Sequence, residues 1–109
     1  MAASDLTPLQ TAVNEVATSW PEARAKQVFG HHGFVRNGKM FGFLADDGIA
    51  IKVMAGAQSD VIYALEGVHA FAYNAMEMRA WPIMPLRDDA DLEAGLTALR
   101  EAYERAVAT

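Results

Sequence analysis

The run FVRNGKMFGFLADDGIAIKV, residues 34 to 53, decides the fold. Two turn dipeptides divide it: Asn37-Gly38 separates residues 34–36 from residues 39–45, and Asp47-Gly48 precedes residues 49–53. Both dipeptides tolerate the positive φ of a two-residue type I′ turn, so the run predicts consecutive antiparallel hairpins. A two-residue loop at Asn37-Gly38 pairs Arg36 with Lys39, Val35 with Met40 and Phe34 with Phe41. One at Asp47-Gly48 pairs Leu44 with Ile51 and Phe43 with Lys52. One sheet face then reads Val35, Met40, Leu44, Ile49, Ile51 and Val53. The other reads Phe34, Arg36, Lys39, Phe41, Phe43 and Lys52, and these six residues are the candidate partner-binding set.

Working outward, a strand around residues 26–29 joins this run through Gly30-His31-His32-Gly33, giving a four-stranded antiparallel meander over residues 26–53. Upstream, Thr7 is a suitable N-cap, Pro8 suits the first helical position, and Gln10 stands three residues after the cap. Leu9, Val13, Val16 and Trp20 follow at helical spacing, and Pro21 ends the helix. Downstream, a short helix is expected near Ser59, capped by its hydroxyl, carrying Val61, Ile62 and Leu65 and closed by Gly67. Residues 71–73 and 78–81 read as two further strands. Pro82 and Pro85 lack the backbone donor, which places the second of these at a sheet edge or ends it there. A last helix opens near Asp88 or Asp89 with the apolar stripe Leu92, Leu96, Leu99, Tyr103 and Val107. The fold class is α+β: a two-layer arrangement in which an antiparallel sheet, meander plus C-terminal hairpin, packs with N- and C-terminal helices.

A chain of 109 residues fits one domain, spanning residues 1–109 with residues 1–6 as a disordered tail. The absence of cysteine excludes disulfides, Cys-ligated zinc and thiol catalysis, and suits a reducing compartment. The N-terminus lacks the basic and apolar segments of a signal peptide, and no apolar run is long enough to span a bilayer, so a cytoplasmic location with no membrane partner is expected. The net charge of −5 argues against general nucleic-acid binding. Its distribution is uneven, because residues 23–45 hold Arg24, Lys26, Arg36 and Lys39 with no acid, a local charge of +4 that leaves −9 for the remainder.

Val28-Phe29-Gly30, Gly33-Phe34, Asn37-Gly38-Lys39-Met40-Phe41-Gly42 and Ile51-Lys52-Val53, in that order, resemble the TfoX N-terminal domain family. The pattern of that family is a Met-Phe-Gly, a glycine, a hairpin glycine before Met-Phe, and an apolar-Lys-apolar strand; Val28 stands here at the family's methionine. Phe71-Ala72-Tyr73 and Met78-Arg79-Ala80-Trp81, followed by prolines, are similar to its later strands. The resemblance runs over roughly residues 10 to 107, and YjbR-like domains are the family nearest to it. It implies a secretion-chaperone-like fold and a link to TfoX-type regulators of natural competence.

The remaining constellations are weak. Aromatic rings interleaved with Lys and Arg suit a single-stranded nucleic-acid platform. The competing reading buries the rings under a helix or a dimer partner while the basic stems reach the rim. A sheet apolar on both faces needs cover on both, and this motivates a homodimer. His31-His32 sits in a tight loop with exposed imidazoles, and neighbouring residues of extended chain point opposite ways, which makes a poor chelate. Asp88, Asp89, Asp91 and Glu93 complement a helix N-terminus. Ser4, Ser19 and Ser59 occupy no nucleophile elbow. No catalytic residue, cofactor or metal is expected. The expected function is a non-enzymatic regulatory or protein-interaction module acting on a protein partner or on itself. A nucleic-acid-binding accessory domain is the alternative. A small-molecule sensor using a sheet–helix crevice near Trp81 comes third.

Overall fold

Helix α1, Pro8–Ser19, begins where its sequence signals place it. In the computed structural model, which describes residues 6–28, 30–45, 48–54 and 56–108, the Thr7 hydroxyl accepts the Gln10 backbone N–H at 3.1 Å, and Gln10 Oε1 accepts the Thr7 N–H at 3.1 Å. This reciprocal box satisfies two backbone donors that a helix start otherwise leaves unmet. The other end of the Gln10 amide donates to Gly48 O at 3.0 Å in a buried position, tying the helix to the sheet. The apolar stripe differs from expectation at one place: Ala17 is buried while Val16 faces solvent, because the buried face runs through Gln10, Val13 and Ala17, at i, i+3 and i+7, and Val16 lies to one side of that line. Of the expected tail, residues 1–5 lie outside the described residues, and Leu6 packs against the core.

Six strands follow: β1 (Ala23–Val28), β2 (His31–Arg36), β3 (Lys39–Ala45), β4 (Gly48–Ile51), β5 (His69–Tyr73) and β6 (Met76–Pro85). Helix α2 (Ala57–Tyr63) lies between β4 and β5, and α3 (Asp89–Ala108) ends the fold. The sheet order is β1-β2-β3-β4-β6-β5 and every pairing is antiparallel, so the α+β class and the meander of the first four strands stand. Phe29 of the expected first strand lies outside the described residues. Among those described, no helix is long and apolar enough to cross a membrane.

Register is where the structure departs from the expected pairing. Arg36 pairs with Lys39 and Val35 with Met40, as a two-residue Asn37-Gly38 turn requires, but Phe34 then pairs with Gly42 and Phe41 is left over as a bulge. The extra residue keeps Phe34 and Phe41 on one side but brings Leu44 to join them and sends Phe43 to the other. The second turn is shifted as well. Ala45 pairs with Gly48, Leu44 with Ile49 and Phe43 with Ala50, so the connection is made by residues 46 and 47, which lie outside the described residues. The expected pairs Leu44–Ile51 and Phe43–Lys52 do not form, and Gly48 is a strand residue paired with Pro85.

The two faces are therefore composed differently from the sequence reading. Phe34, Phe41, Leu44, Ile49, Ile51 and Val53 face the helices and pack with Val13, Ala17, Leu99 and Tyr103. Phe43, Ala45, Ala50, Phe71, Trp81 and Ile83 form the opposite face, with Met40 and Met78 against them. The sheet closes this second face by curling. The His31 ring on β2 lies 5.7 Å from that of Phe43 and 5.6 Å from that of Phe71 on β5, while Phe43 and Phe71 meet at 4.9 Å. Strands β2 and β5 are four ladder steps apart, about 19 Å in a flat sheet. Ala45 and Ala50 supply the small side chains that let the concave side fold inward.

Two other expectations change. Strand β6 is flanked by β4 and β5 rather than lying at an edge; Pro82 sits opposite Ala70 beside the irregularity at Ala70/Phe71, where a missing N–H is tolerated, and Pro85 ends the strand. Helix α2 starts earlier than expected, from Gly56 with no side-chain cap, and ends at Tyr63, so Ser59 lies within it and Gly67 in the turn beyond. The β5–β6 turn holds Asn74 at φ 53° and Ala75 at φ 64°. A left-handed alanine costs about 1–2 kcal/mol. Ala75→Gly is thus expected to raise stability by about 1 kcal/mol after the glycine's own entropy is charged. Urea unfolding checks this, and an unchanged or lower midpoint would contradict it.

Helix α3 opens at the Asp88 carboxylate, which accepts the Asp91 N–H at 3.0 Å. Asp91 in turn accepts from the backbone N–H and Nε of Arg87, each at 2.8 Å, and these bonds hold its carboxyl below the usual range. The acidic cluster thus acts in capping. Leu99 and Tyr103 are buried, Leu92 and Leu96 pack at the core margin, and the Val107 side chain lies outside the described residues.

Candidate functional site

The six candidate residues fall into four places. Phe34 and Phe41, 0% and 1% exposed, lie beneath the helices, and Phe43 belongs to the concave face. Arg36 is a structural clamp: its guanidinium stands 4.0 Å over the Tyr103 ring, donates from Nη1 to Tyr103 O at 3.1 Å and pairs with Glu22 at 3.3 Å. Lys39 and Lys52 come together at an open surface, in a crevice of about 450 Å³ between the C-terminal half of α3 and the sheet. This is the crevice expected near Trp81.

Its walls come from four elements. Ala102 and Ala106, one helical turn apart on α3, leave room where Leu99 and Tyr103 fill the interface further up. Met40 and Met54 supply flexible apolar surface, and Trp81 on β6 forms the floor. Lys52 leaves β4 with its own N–H bonded to Phe41 O at 3.2 Å, and Val53 N–H bonds to Ala80 O at 3.0 Å. These two bonds hold residues 52–53 across the crevice and consume their backbone donors.

The electrostatics single this place out. Among the described residues, Lys39, Lys52 and Arg105 line the crevice and no carboxylate does. Lys52 Nζ stands 5.3 Å from the centre of the Trp81 ring, and Arg105 Nη2 donates to Lys52 O at 2.8 Å. Elsewhere Arg36, Arg87 and Arg100 each hold a carboxylate. Among the described residues, Lys52 and Arg105 take part in no ion pair, in a chain whose net charge is −5. An anion entering this crevice meets a guanidinium and an ammonium that no acid among the described residues pairs.

Sequence reasoning missed Arg105, which reads simply as a cation suited to a helix C-terminus. The small-residue spacing Ala98, Ala102 and Ala106 is the signal that locates the gap beneath it. The histidines are in strand β2 rather than in an exposed loop. His32 Nε2 lies 2.6 Å from Asn14 Oδ1 on α1, and His31 stacks on the opposite face. Of the serines, Ser4 lies outside the described residues and Ser19 donates to Val16 O at 2.6 Å. Comparison with known proteins finds no family model, no curated protein and no solved structure that matches this chain.

Proposed function

We propose that the protein is a non-enzymatic regulatory or protein-interaction module, in line with its resemblance to the TfoX N-terminal domain, that works by binding an anionic group in the crevice beneath α3. The observation that carries this reading is the convergence on an apolar floor of Lys52 and Arg105, neither of which forms an ion pair among the described residues, with Lys39 beside them. A cytoplasmic setting, suited to a cysteine-free chain, belongs to the same proposal. The nucleic-acid alternative loses support from the burial of Phe34 and Phe41, since stacking bases need exposed rings. Self-association loses its motive as well, because the second apolar face is covered within one chain.

Fluorescence anisotropy tests the reading with a labelled peptide of alternating glutamate and leucine and an equally long thymidine oligonucleotide. The peptide is expected to bind in a salt-sensitive manner and more tightly than the oligonucleotide. Lys52→Gln and Arg105→Gln are each expected to weaken it about tenfold, the worth of a hydrogen bond to a charged group. Tighter binding of the oligonucleotide would promote the alternative. Binding of the peptide that ignores both substitutions would remove the crevice from the reading.

A further inference from the structure

We propose that the occupant of the crevice is a small organic acid, a carboxylate carried on an apolar body of a few carbons or one ring. This assignment rests on the binding reading above and narrows it to one ligand class. Three observations lead to it.

The first is size and lining. About 450 Å³ falls within the range of small-molecule pockets. Its apolar surface comes from Met40, Met54 and the Trp81 indole, and methionine adapts to irregular hydrocarbon better than any branched side chain. A wholly hydrophilic anion would leave that surface unpaired, and a neutral hydrocarbon would leave the cations unanswered.

The second is the count of donors. A phosphoryl group presents three oxygens, and protein sites commonly meet them with backbone N–H groups from a glycine loop or a helix N-terminus. Here the Lys52 and Val53 N–H groups are already committed to Phe41 O and Ala80 O, and α3 presents its C-terminal half to the crevice. The donors that remain are side-chain groups. Arg105 spends one N–H on Lys52 O and has four more, and Lys52 presents an ammonium. The two oxygens of a carboxylate match the Arg105 guanidinium edge and the Lys52 ammonium, with the exposed Lys39 beside them, and residues 52 and 53 offer no free backbone N–H to complete a phosphoryl cradle, so the head group assigned is a carboxylate.

The third is where the two cations stand. Arg105 belongs to the last turns of α3, and Lys52 lies just beyond β4. A carboxylate held between them bridges the helix to the sheet beside Ala102 and Ala106, whose short side chains leave the crevice open. Occupancy therefore anchors the end of α3, and the chain reports the ligand through the order of that segment.

The test is a ¹H–¹⁵N correlation titration of the whole chain with octanoate and with 3-phenylpropionate, using octanamide as the neutral counterpart. Both acids are expected to give saturating shifts at Lys52, Met54, Arg105 and the Trp81 indole N–H, with octanamide at least tenfold weaker. Lys52→Gln and Arg105→Gln are each expected to weaken the acids at least tenfold, while Arg24→Gln, exposed on β1, leaves them unchanged. The dispersion of each variant's spectrum reports directly that it is folded. No saturating shift at these residues with either acid, or an amide that binds as tightly as the acid, overturns the assignment. If the acids fail while the Glu-Leu peptide still binds through Lys52 and Arg105, only the small-acid assignment falls. If the acids and the peptide fail together, the binding reading falls with it.

Discussion

Phe41→Ala is expected to lower stability by about 3–5 kcal/mol, the range for removing a fully enclosed phenylalanine. The ring is 1% exposed and meets Tyr103 edge-on at 5.5 Å, Phe34 at 6.1 Å and Trp20 at 6.2 Å. It therefore joins β3 to β2, to the end of α1 and to α3, and no single neighbour can move in to fill the space. Against a domain stability of about 5–15 kcal/mol the loss is a large fraction of the whole. The melting temperature is expected to fall by about 15–25 °C. The measurement also bears on the bulge. With regular pairing from the Asn37-Gly38 turn, Phe41 faces away from the aliphatic residues, and truncating it on an open platform costs less than about 1 kcal/mol. A loss that small would place the ring outside the helix-side core.

Gly48→Ala is expected to cost about 2–4 kcal/mol, the sum of a small-to-large substitution against backbone and a weakened buried hydrogen bond. A methyl group at this position falls on the carbonyl oxygen of Met84 and lies 3.0 Å from Ile83 Cγ2. The obstacle is the main chain of β6, which has no rotamer to change. Relief requires β4 and β6 to part, which loosens the pairing of Gly48 with Pro85 and the bond from Gln10 Nε2 to Gly48 O. Gly42 provides the comparison, because the atom nearest a methyl there is the end of the Leu99 side chain, which can move, and the backbone oxygen of Ala50 stands further off at 3.0 Å. Gly48→Asn separates two reasons for the glycine. Asparagine tolerates the left-handed backbone of a turn, so it would restore stability if Gly48 were the second residue of a type I′ turn. In a strand against Met84 it is expected to be at least as damaging as alanine.

How much of this could be read in advance depends on the kind of signal. The start of α1 was legible because Thr7, Pro8 and Gln10 make a local device that needs no partner elsewhere. The Asn37-Gly38 turn was legible for the same reason, with Asn37 and Gly38 both at positive φ. The bulge at Phe41 was not, because alternation in KMFGFLA gives no sign of which residue is passed over, and a one-residue slip exchanges every side chain between faces. Gly48 misled because a glycine after aspartate reads as turn chemistry, while its reason for being glycine lies 36 residues away, at Met84 on β6. The crevice was half legible. Trp81 and Lys52 were in view, but Arg105 comes from the opposite layer, and only the packed fold brings it to Lys52 O.

Helix α3 leaves the ribosome after all six strands, yet it supplies the cover for Phe34, Phe41, Leu44 and Ile49. The Tyr103 hydroxyl reaches back 82 positions to Pro21 O at 2.6 Å. A nascent chain halted before residue 89 therefore carries a nearly complete sheet with one greasy side bare. Such a surface is prone to aggregation and is the kind that chaperones hold. The timing of synthesis, rather than the strength of any one contact, sets the interval during which this protein is most at risk, and faster elongation through residues 89–108 shortens it.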